Sequence, residues 1–353
     1  MRESINISNK RVYEKCKKAN NRLLDVRTAP EWAQGIAQDS VCLNLADIDT
    51  HALEKLDKDK NYYVICQTGQ RSLTAIIKLR ALGFKKLFNV HEGYVKWKAQ
   101  DLPIQIPKLN SQAIRYSRHH QLQGFGKKAQ DELLKSHVLL IGAGGLGSSA
   151  ALYLAAAGIG TITLIDDDVV SLSNLQRQVI HTTECIDNLK VESAKKQLIA
   201  LNPEIIINSI AKKVTIENAQ RIISQVDIVI DGSDNLSTRY LVNDVCLKLK
   251  KPLVYAAVFQ YESQLTTFDF RNEDSPCLRC LFPQTEGFEP ENCSTVGVLG
   301  VVPGLAGIIQ ASEAIKLITC VGETLIRKLQ IIDLYDNSFK SINYKKDTNC
   351  QHH

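Results

Sequence analysis

The chain has 353 residues, 44% of them hydrophobic and 23% charged, with a formal net charge of +5. This is the composition of two or three folded domains and excludes a long disordered chain. The mild positive charge comes without a dense Lys/Arg stripe, so it makes no case for nucleic-acid binding. No uninterrupted apolar run reads as a membrane span, and the polar start MRESINISNKRVYEK lacks the apolar stretch of a signal peptide, so a cytoplasmic protein is expected.

Two modules are expected, residues 1–105 and 106–353. The segment LPIQIPKLNSQ (102–112) between them carries Pro103 and Pro107 and reads as an extended linker. In the first module, strands are expected at Arg22–Val26, Tyr62–Cys66 and Leu87–Val90, and a helix at SLTAIIKLRALGF. The loop Cys66-Gln67-Thr68-Gly69-Gln70-Arg71-Ser72 joins a strand to that helix. Its backbone N–H groups are expected to point inward at the Cys66 sulfur. The helix N-terminus and Arg71 are expected to favour a thiolate or persulfide there.

The second module opens with a helix at Lys127–Leu134 and a continuous apolar strand at His137–Ile141. The loop Gly142-Ala143-Gly144-Gly145-Leu146-Gly147 follows, then an Ala-rich helix at Ser148–Ala157 and a strand at Thr161–Ile165. Helix Val191–Leu201, strand Ile205–Ile210, helix Ala219–Ile223 and strand Ile228–Ile230 complete a βαβαβ series. Such a series predicts a doubly wound α/β sheet with its ligand at the carboxyl ends of the strands.

The glycine loop fits G-x-G-x-x-G in the strand–turn–helix context that this phosphate-binding motif needs. Asp166, at the end of the next strand, stands where a carboxylate accepts hydrogen bonds from ribose hydroxyls. By itself the fingerprint suggests NAD or FAD. Asn174 to Gln178, Lys190 and Asp231-Gly232-Ser233-Asp234-Asn235 add polar and cationic residues after successive strands. A triphosphate under attack needs cations on the departing pyrophosphate and a carboxylate for Mg²⁺, so the set favours ATP.

Among the ten cysteines, Cys42, Cys185, Cys246 and Cys320 lie in apolar stretches and read as core residues, while Cys16 lies in a basic segment. Cys277-Leu278-Arg279-Cys280 is a C-x-x-C, which suits redox or metal chemistry until a second ligand pair is found.

The stretches RYSRHHQL, GAGGLGSSAALYLAAAGIGTITLIDDDVVSLSNLQRQ, DGSDN, PCLRCLFP and GVLGVVPGLAGIIQASEAIKL resemble the MoeB/ThiF/HesA branch of the ubiquitin-activating superfamily, over roughly residues 112–353. The resemblance implies a homodimeric adenylyltransferase. With ATP and Mg²⁺ it would activate the C-terminal Gly-Gly carboxylate of a small ubiquitin-like sulfur-carrier protein. Gly142, Gly144, Gly145, Gly147 and Asp166 would then hold the nucleotide, and Asn174, Arg177 and Lys190 its phosphates. Asp234, with Asn235 beside it, would hold Mg²⁺, and Arg118 would reach the partner subunit's ATP. The resemblance also implies Zn²⁺ on Cys277, Cys280, Cys350 and His353, where His353 replaces the family's fourth cysteine and His352 is the alternative. Cys293 stands where some members carry a cysteine that attacks the acyl-adenylate or joins a persulfide relay.

Residues 18–103 resemble the rhodanese family, on Leu24-Asp25-Val26-Arg27, Glu31-Trp32, the Cys66–Arg71 loop, His91-Glu92-Gly93-Tyr94 and Trp97. Here Gly35-Ile36-Ala37 departs from the family's Gly-His-Ile. This resemblance implies a Cys66 persulfide, loaded by a cysteine desulfurase or by thiosulfate, that converts the activated carrier to a thiocarboxylate. Molybdopterin synthesis on a MoaD-like carrier is the preferred setting and thiazole synthesis on a ThiS-like carrier the alternative. An NAD-linked oxidoreductase and a non-catalytic sulfur-sensing scaffold are the rivals of other classes.

Overall fold

The computed structural model describes residues 5–107, 111–283, 297–350 and 352. The chain forms two compact units, Met1–Gln130 and Asp131–His353.

The first unit contains β1 (Asn6–Ile7), β2 (Asn21–Asp25), β3 (Ile36–Ala37), β4 (Val41–Cys42), β5 (Asn61–Ile65), β6 (Leu87–Val90) and β7 (Ile104–Gln105). Five of them form a parallel sheet in the order β1-β6-β5-β2-β4. Aromatic and β-branched residues make the central strand β5 a good strand former, and both of its faces are covered. Tyr62 and Val64 pack on one side with Ile76 and Leu79, and Tyr63 and Ile65 on the other with Trp97. The first half of the expected linker is not free. β7 pairs antiparallel with β3, the Gln38 N–H donates to the Pro103 carbonyl (3.0 Å), and so does the Trp97 indole N–H (3.0 Å). A proline has no N–H to give, but its carbonyl still accepts, so the segment edges a short ladder instead of running through solvent.

The second unit contains β8 (His137–Ile141), β9 (Thr161–Ile165), β10 (Ile206–Ile210), β11 (Ile228–Asp231), β12 (Leu253–Phe259), β13 (Glu262–Phe268), β14 (Lys328–Asp333) and β15 (Ser338–Asn343). One sheet holds all eight, in the order β10-β9-β8-β11-β12-β13-β14-β15. Its first five strands are parallel and the rest antiparallel. The chain goes outward from β8 to β10, then returns to lay β11 on the other side of β8. The carboxyl ends of β8 and β11 therefore flank the crevice where such sheets bind ligands.

The helix Val301–Thr319 corrects one expectation. It is long and apolar enough to cross a membrane, with a mean hydropathy of 1.4, yet half of it is buried in the fold. Ala306 and Leu305 join a cluster with Leu146, Ala256 and Leu265, which marks it as the core helix over the sheet. Among the expected core thiols, Cys185 and Cys246 are buried and Cys42 is half-buried. Cys320 is exposed instead. It ends the helix in a left-handed conformation (φ 55°), with its N–H on the Lys316 carbonyl.

Candidate functional site

A cleft of about 610 Å³ opens at the carboxyl end of the second unit's sheet. Gly142, Gly144, Gly145, Asp166, Arg177, Lys190, Asp234 and Asn235 all line it. The loop at its floor needs its glycines. Gly142 has φ +91°, and a Cβ on Gly147 would lie 1.9 Å from the Gly142 carbonyl oxygen. Gly147 thus serves the tight turn from beneath and does not line the cleft. From Gly145 the helix runs to Ala157, so its N-terminus, with the partial positive charge of unpaired N–H groups, faces the cleft.

Asp166 accepts from the Ala143 N–H (2.7 Å) and from the Asp168 N–H (2.9 Å), which fixes the carboxylate against the loop. The Lys190 ammonium is buried and donates to Asp168 (2.7 Å). Arg177 donates to the Ser173 carbonyl (3.1 Å). Asp234 is exposed, and Asn235 caps the helix Leu236–Lys248 by accepting the Thr238 N–H (2.9 Å). The Asn174 side chain accepts the Ser171 N–H (3.3 Å) in a local turn and is not among the lining residues. Beneath the cleft Asp231 is wholly buried. Burial pushes its carboxyl up, while the Ser233 N–H donates to it (2.9 Å). The sequence reading passed over His181, Lys212, Lys213 and Arg239 and named Gln178 and Ser233 only as parts of their polar runs. All but His181 line the cleft, and His181 sits buried just behind the loop. A lone histidine in QVIHTT carries no signal that separates a core residue from one serving a site.

In the first unit Cys66 follows β5 and its sulfur is fully buried. The Gly69 N–H donates to it (3.1 Å) and the Ser72 hydroxyl lies 3.4 Å away. The loop therefore does wrap the sulfur, and Arg71 lies within electrostatic reach of Cys66 while its direct hydrogen bonds go elsewhere. Its guanidinium makes two hydrogen bonds to Glu31, of 2.6 and 2.9 Å. Burial alone would raise the Glu31 carboxyl. Arg71 and the N–H and hydroxyl of Thr28 outweigh it and bring the group down to about 2. Arg118 belongs to this unit and is exposed beside the turn His119–Gln121.

Cys277, Cys280 and Cys350 converge, with sulfurs within 4.8 Å of one another. Cys277 lies 3.8 Å from each of the other two. Sulfurs 2.3 Å from a tetrahedral zinc stand about 3.8 Å apart, so the spacing fits that ion. Burial and the neighbouring thiols push Cys277 up to about 12, so a cation is what would stabilise it as thiolate. His353 and Cys293 lie outside the described residues, and His352 is exposed.

Residues 116–352 match the ThiF family and residues 8–100 match the rhodanese-like domain. The SAMP-activating enzyme E1 of Haloferax volcanii is 43% identical over 68% of this chain and 88% of its own length. The sulfur carrier protein adenylyltransferase of Thermus thermophilus is 39% identical over 67% of this chain and 89% of its own. The adenylyltransferase and sulfurtransferase MOCS3 of Arabidopsis thaliana is 46% identical over 63% of this chain but 48% of its own, so the chain spans about half the length of that relative. Among solved structures, Escherichia coli MccB with ATP superposes with a TM-score of 0.59 at 25% identity, covering 67% of this chain and 72% of that one. With its glycine loop, charged cleft and thiol cluster in one α/β unit, and a cysteine loop in the other, the chain belongs to the ThiF family and carries a rhodanese-like domain ahead of its ThiF domain.

Proposed function

We propose that the second unit uses ATP to adenylate the C-terminal Gly-Gly carboxylate of a small ubiquitin-like sulfur carrier, and that the first unit supplies the sulfur. One observation carries the reading. A ribose-type carboxylate, two cations and an exposed carboxylate share one cleft with a glycine loop and a helix N-terminus. The carrier's carboxylate is already ionised near neutral pH and attacks the α-phosphorus without a general base. Pyrophosphate leaves, and Arg177 and Lys190 take up its growing negative charge. Asp234 offers the oxygen donor that Mg²⁺ prefers, and the ion would neutralise phosphate charge. Asp166 holds the ribose. Arg118 serves the nucleotide of the second copy in a homodimer.

The outer sulfur of a Cys66 persulfide then attacks the acyl-adenylate carbonyl and AMP departs. A second thiol, for which Cys293 is the chain's own candidate, attacks the Cys66 sulfur, so the bond to the acyl sulfur breaks, the carrier leaves as thiocarboxylate and Cys66 is left in a disulfide that an external thiol reductant such as glutathione or thioredoxin opens. Cysteine desulfurase or thiosulfate reloads Cys66. Zinc on Cys277, Cys280, Cys350 and His353 would be structural, tying the chain's end to the C-x-x-C turn.

Carrier-dependent ATP–pyrophosphate exchange tests the first half. Asp234→Ala and Arg177→Ala should each abolish it and leave the fold intact, and near-normal exchange in both would refute the assignment.

A further inference from the structure

The polar contacts behind the cleft close into a ring. The Asp166 carboxylate takes the Ala143 N–H on one oxygen (2.7 Å) and the Asp168 N–H on the other (2.9 Å). Asp168 in turn accepts from Lys190 twice, on its carbonyl from the backbone N–H (2.9 Å) and on its carboxylate from the ammonium (2.7 Å). Lys190 opens the helix Lys190–Leu201, and Ser193 lies one turn further along it. The Ser193 hydroxyl meets His181 Nδ1 at 2.9 Å, and His181 Nε2 meets the Ala143 carbonyl at 3.0 Å. The ring is back at the Ala143 peptide. His181 is the one side chain in it that joins the helix of Lys190 to the glycine loop.

The direction of these bonds is forced. A carbonyl only accepts, so Nε2 carries the proton. Burial, with Lys190 nearby, lowers the pKa of His181 and favours the neutral ring, and only Asp166 and the bond to the Ala143 carbonyl oppose this. In the neutral ring Nδ1 accepts, so the Ser193 hydroxyl donates to it. Both ring nitrogens are therefore committed, and the Ala143 peptide is gripped on its N–H and its carbonyl at once.

We propose that His181, oriented by Ser193, is a positioning residue for nucleotide binding. It sets the spacing between the carboxylate that holds the ribose and the ammonium that meets the phosphates. It touches no substrate and acts through Ala143 and Lys190. This role rests on the reading of the cleft as an ATP site.

ATP titration of the full-length protein, with the KM for ATP in the exchange assay, tests it. His181→Ala should weaken ATP binding about tenfold, the cost of a lost buried hydrogen bond, and raise KM with little change in kcat. His181→Gln places an amide N–H near the Nε2 position and should restore most of the affinity. His181→Asn places it near Nδ1 and should not. If His181→Ala does not fold, Ser193→Ala removes the donor to Nδ1, together with a contact to Cys185, and should weaken ATP binding by a smaller factor. Wild-type affinity in His181→Ala, or equal rescue by Gln and Asn, overturns the role of His181. Failure of the wild-type protein to bind ATP overturns the reading of the cleft itself.

Discussion

The two units hold their cations in opposite ways. In the rhodanese-like unit Arg27 is buried against Asp25, which is buried too, with contacts of 2.7 to 3.0 Å. It also donates to the Gly35 carbonyl (2.8 Å) and stacks on the Tyr94 ring (3.6 Å). In the nucleotide cleft, the Lys190 side chain is 7% exposed but its partner Asp168 is 65% exposed. Asp168 has water to turn into, whereas Asp25 has none. The first arrangement shapes a loop around one sulfur atom; under the proposed function the second would keep charge in reserve for an incoming anion. A site that presents a single atom needs a rigid cradle, and a site that receives a polyanion needs exchangeable partners.

The largest effect expected separates the two chemistries. Cys66→Ser should abolish thiocarboxylate formation from thiosulfate, because no other atom in that loop carries sulfane sulfur. Carrier-dependent exchange at the other unit should persist. Mass measurement of the carrier after incubation reads the first outcome directly, and efficient thiocarboxylate formation by the variant would break the proposed relay.

Removing one cation from each unit sharpens the contrast. Arg27→Met leaves a buried Asp25 carboxylate without its partner, and the loss should be about 3–5 kcal/mol of stability. The chain's two tryptophans, Trp32 and Trp97, are both buried in the first unit, so denaturation followed by their fluorescence reports on that unit alone. Gln67, which Arg27 also reaches (3.4 Å), belongs to the sulfur loop, so sulfur transfer should fall along with stability. Lys190→Met strands only an exposed Asp168. It should cost little stability, read by far-UV circular dichroism because the second unit holds no tryptophan, while exchange is lost. Equal destabilisation by the two variants would remove the distinction between cradle and reserve.

The strand–helix alternation was legible because its strands are short runs rich in apolar and β-branched residues: His137–Ile141, Thr161–Ile165 and Leu87–Val90 coincide with β8, β9 and β6. Helix starts were less legible. The helix after the glycine loop begins at Gly145, ahead of the Ser148 expected, because glycines that sit in a helix for packing read as turn residues. β12, which continues the strand–helix alternation after the helix Leu236–Lys248, went unread, and so did the antiparallel strands β13 to β15, which follow no such period. Within the site, glycines, acids and cations at strand ends were visible as a motif. His181 was not, since its role depends on a carbonyl 38 positions away in sequence. The partner of Arg71 was hidden for a related reason. Its position in the loop put it within electrostatic reach of Cys66, but its ion-pair partner Glu31 lies 40 positions away in sequence.

The smallest effect expected concerns that last pair. Arg71 and Glu31 are bidentate but partly exposed, at 37% and 27%. Solvent screening limits such a pair to under about 1 kcal/mol. Glu31→Gln keeps an acceptor for the Thr28 N–H and removes only the charge, so it should shift the tryptophan-monitored unfolding midpoint slightly at neutral pH. The sign with pH follows from the lowered carboxyl. In the fold the Glu31 carboxyl is brought down to about 2 from its ordinary 4.5. Its contribution is whole above the unfolded value and is lost as pH falls through the folded one. The gap between wild type and Glu31→Gln should therefore be constant from neutral pH down to about 5, then close toward pH 2. A gap that is constant across that window would mean that the folded carboxyl keeps its ordinary acidity, so that neither Arg71 nor Thr28 stabilises its charged form.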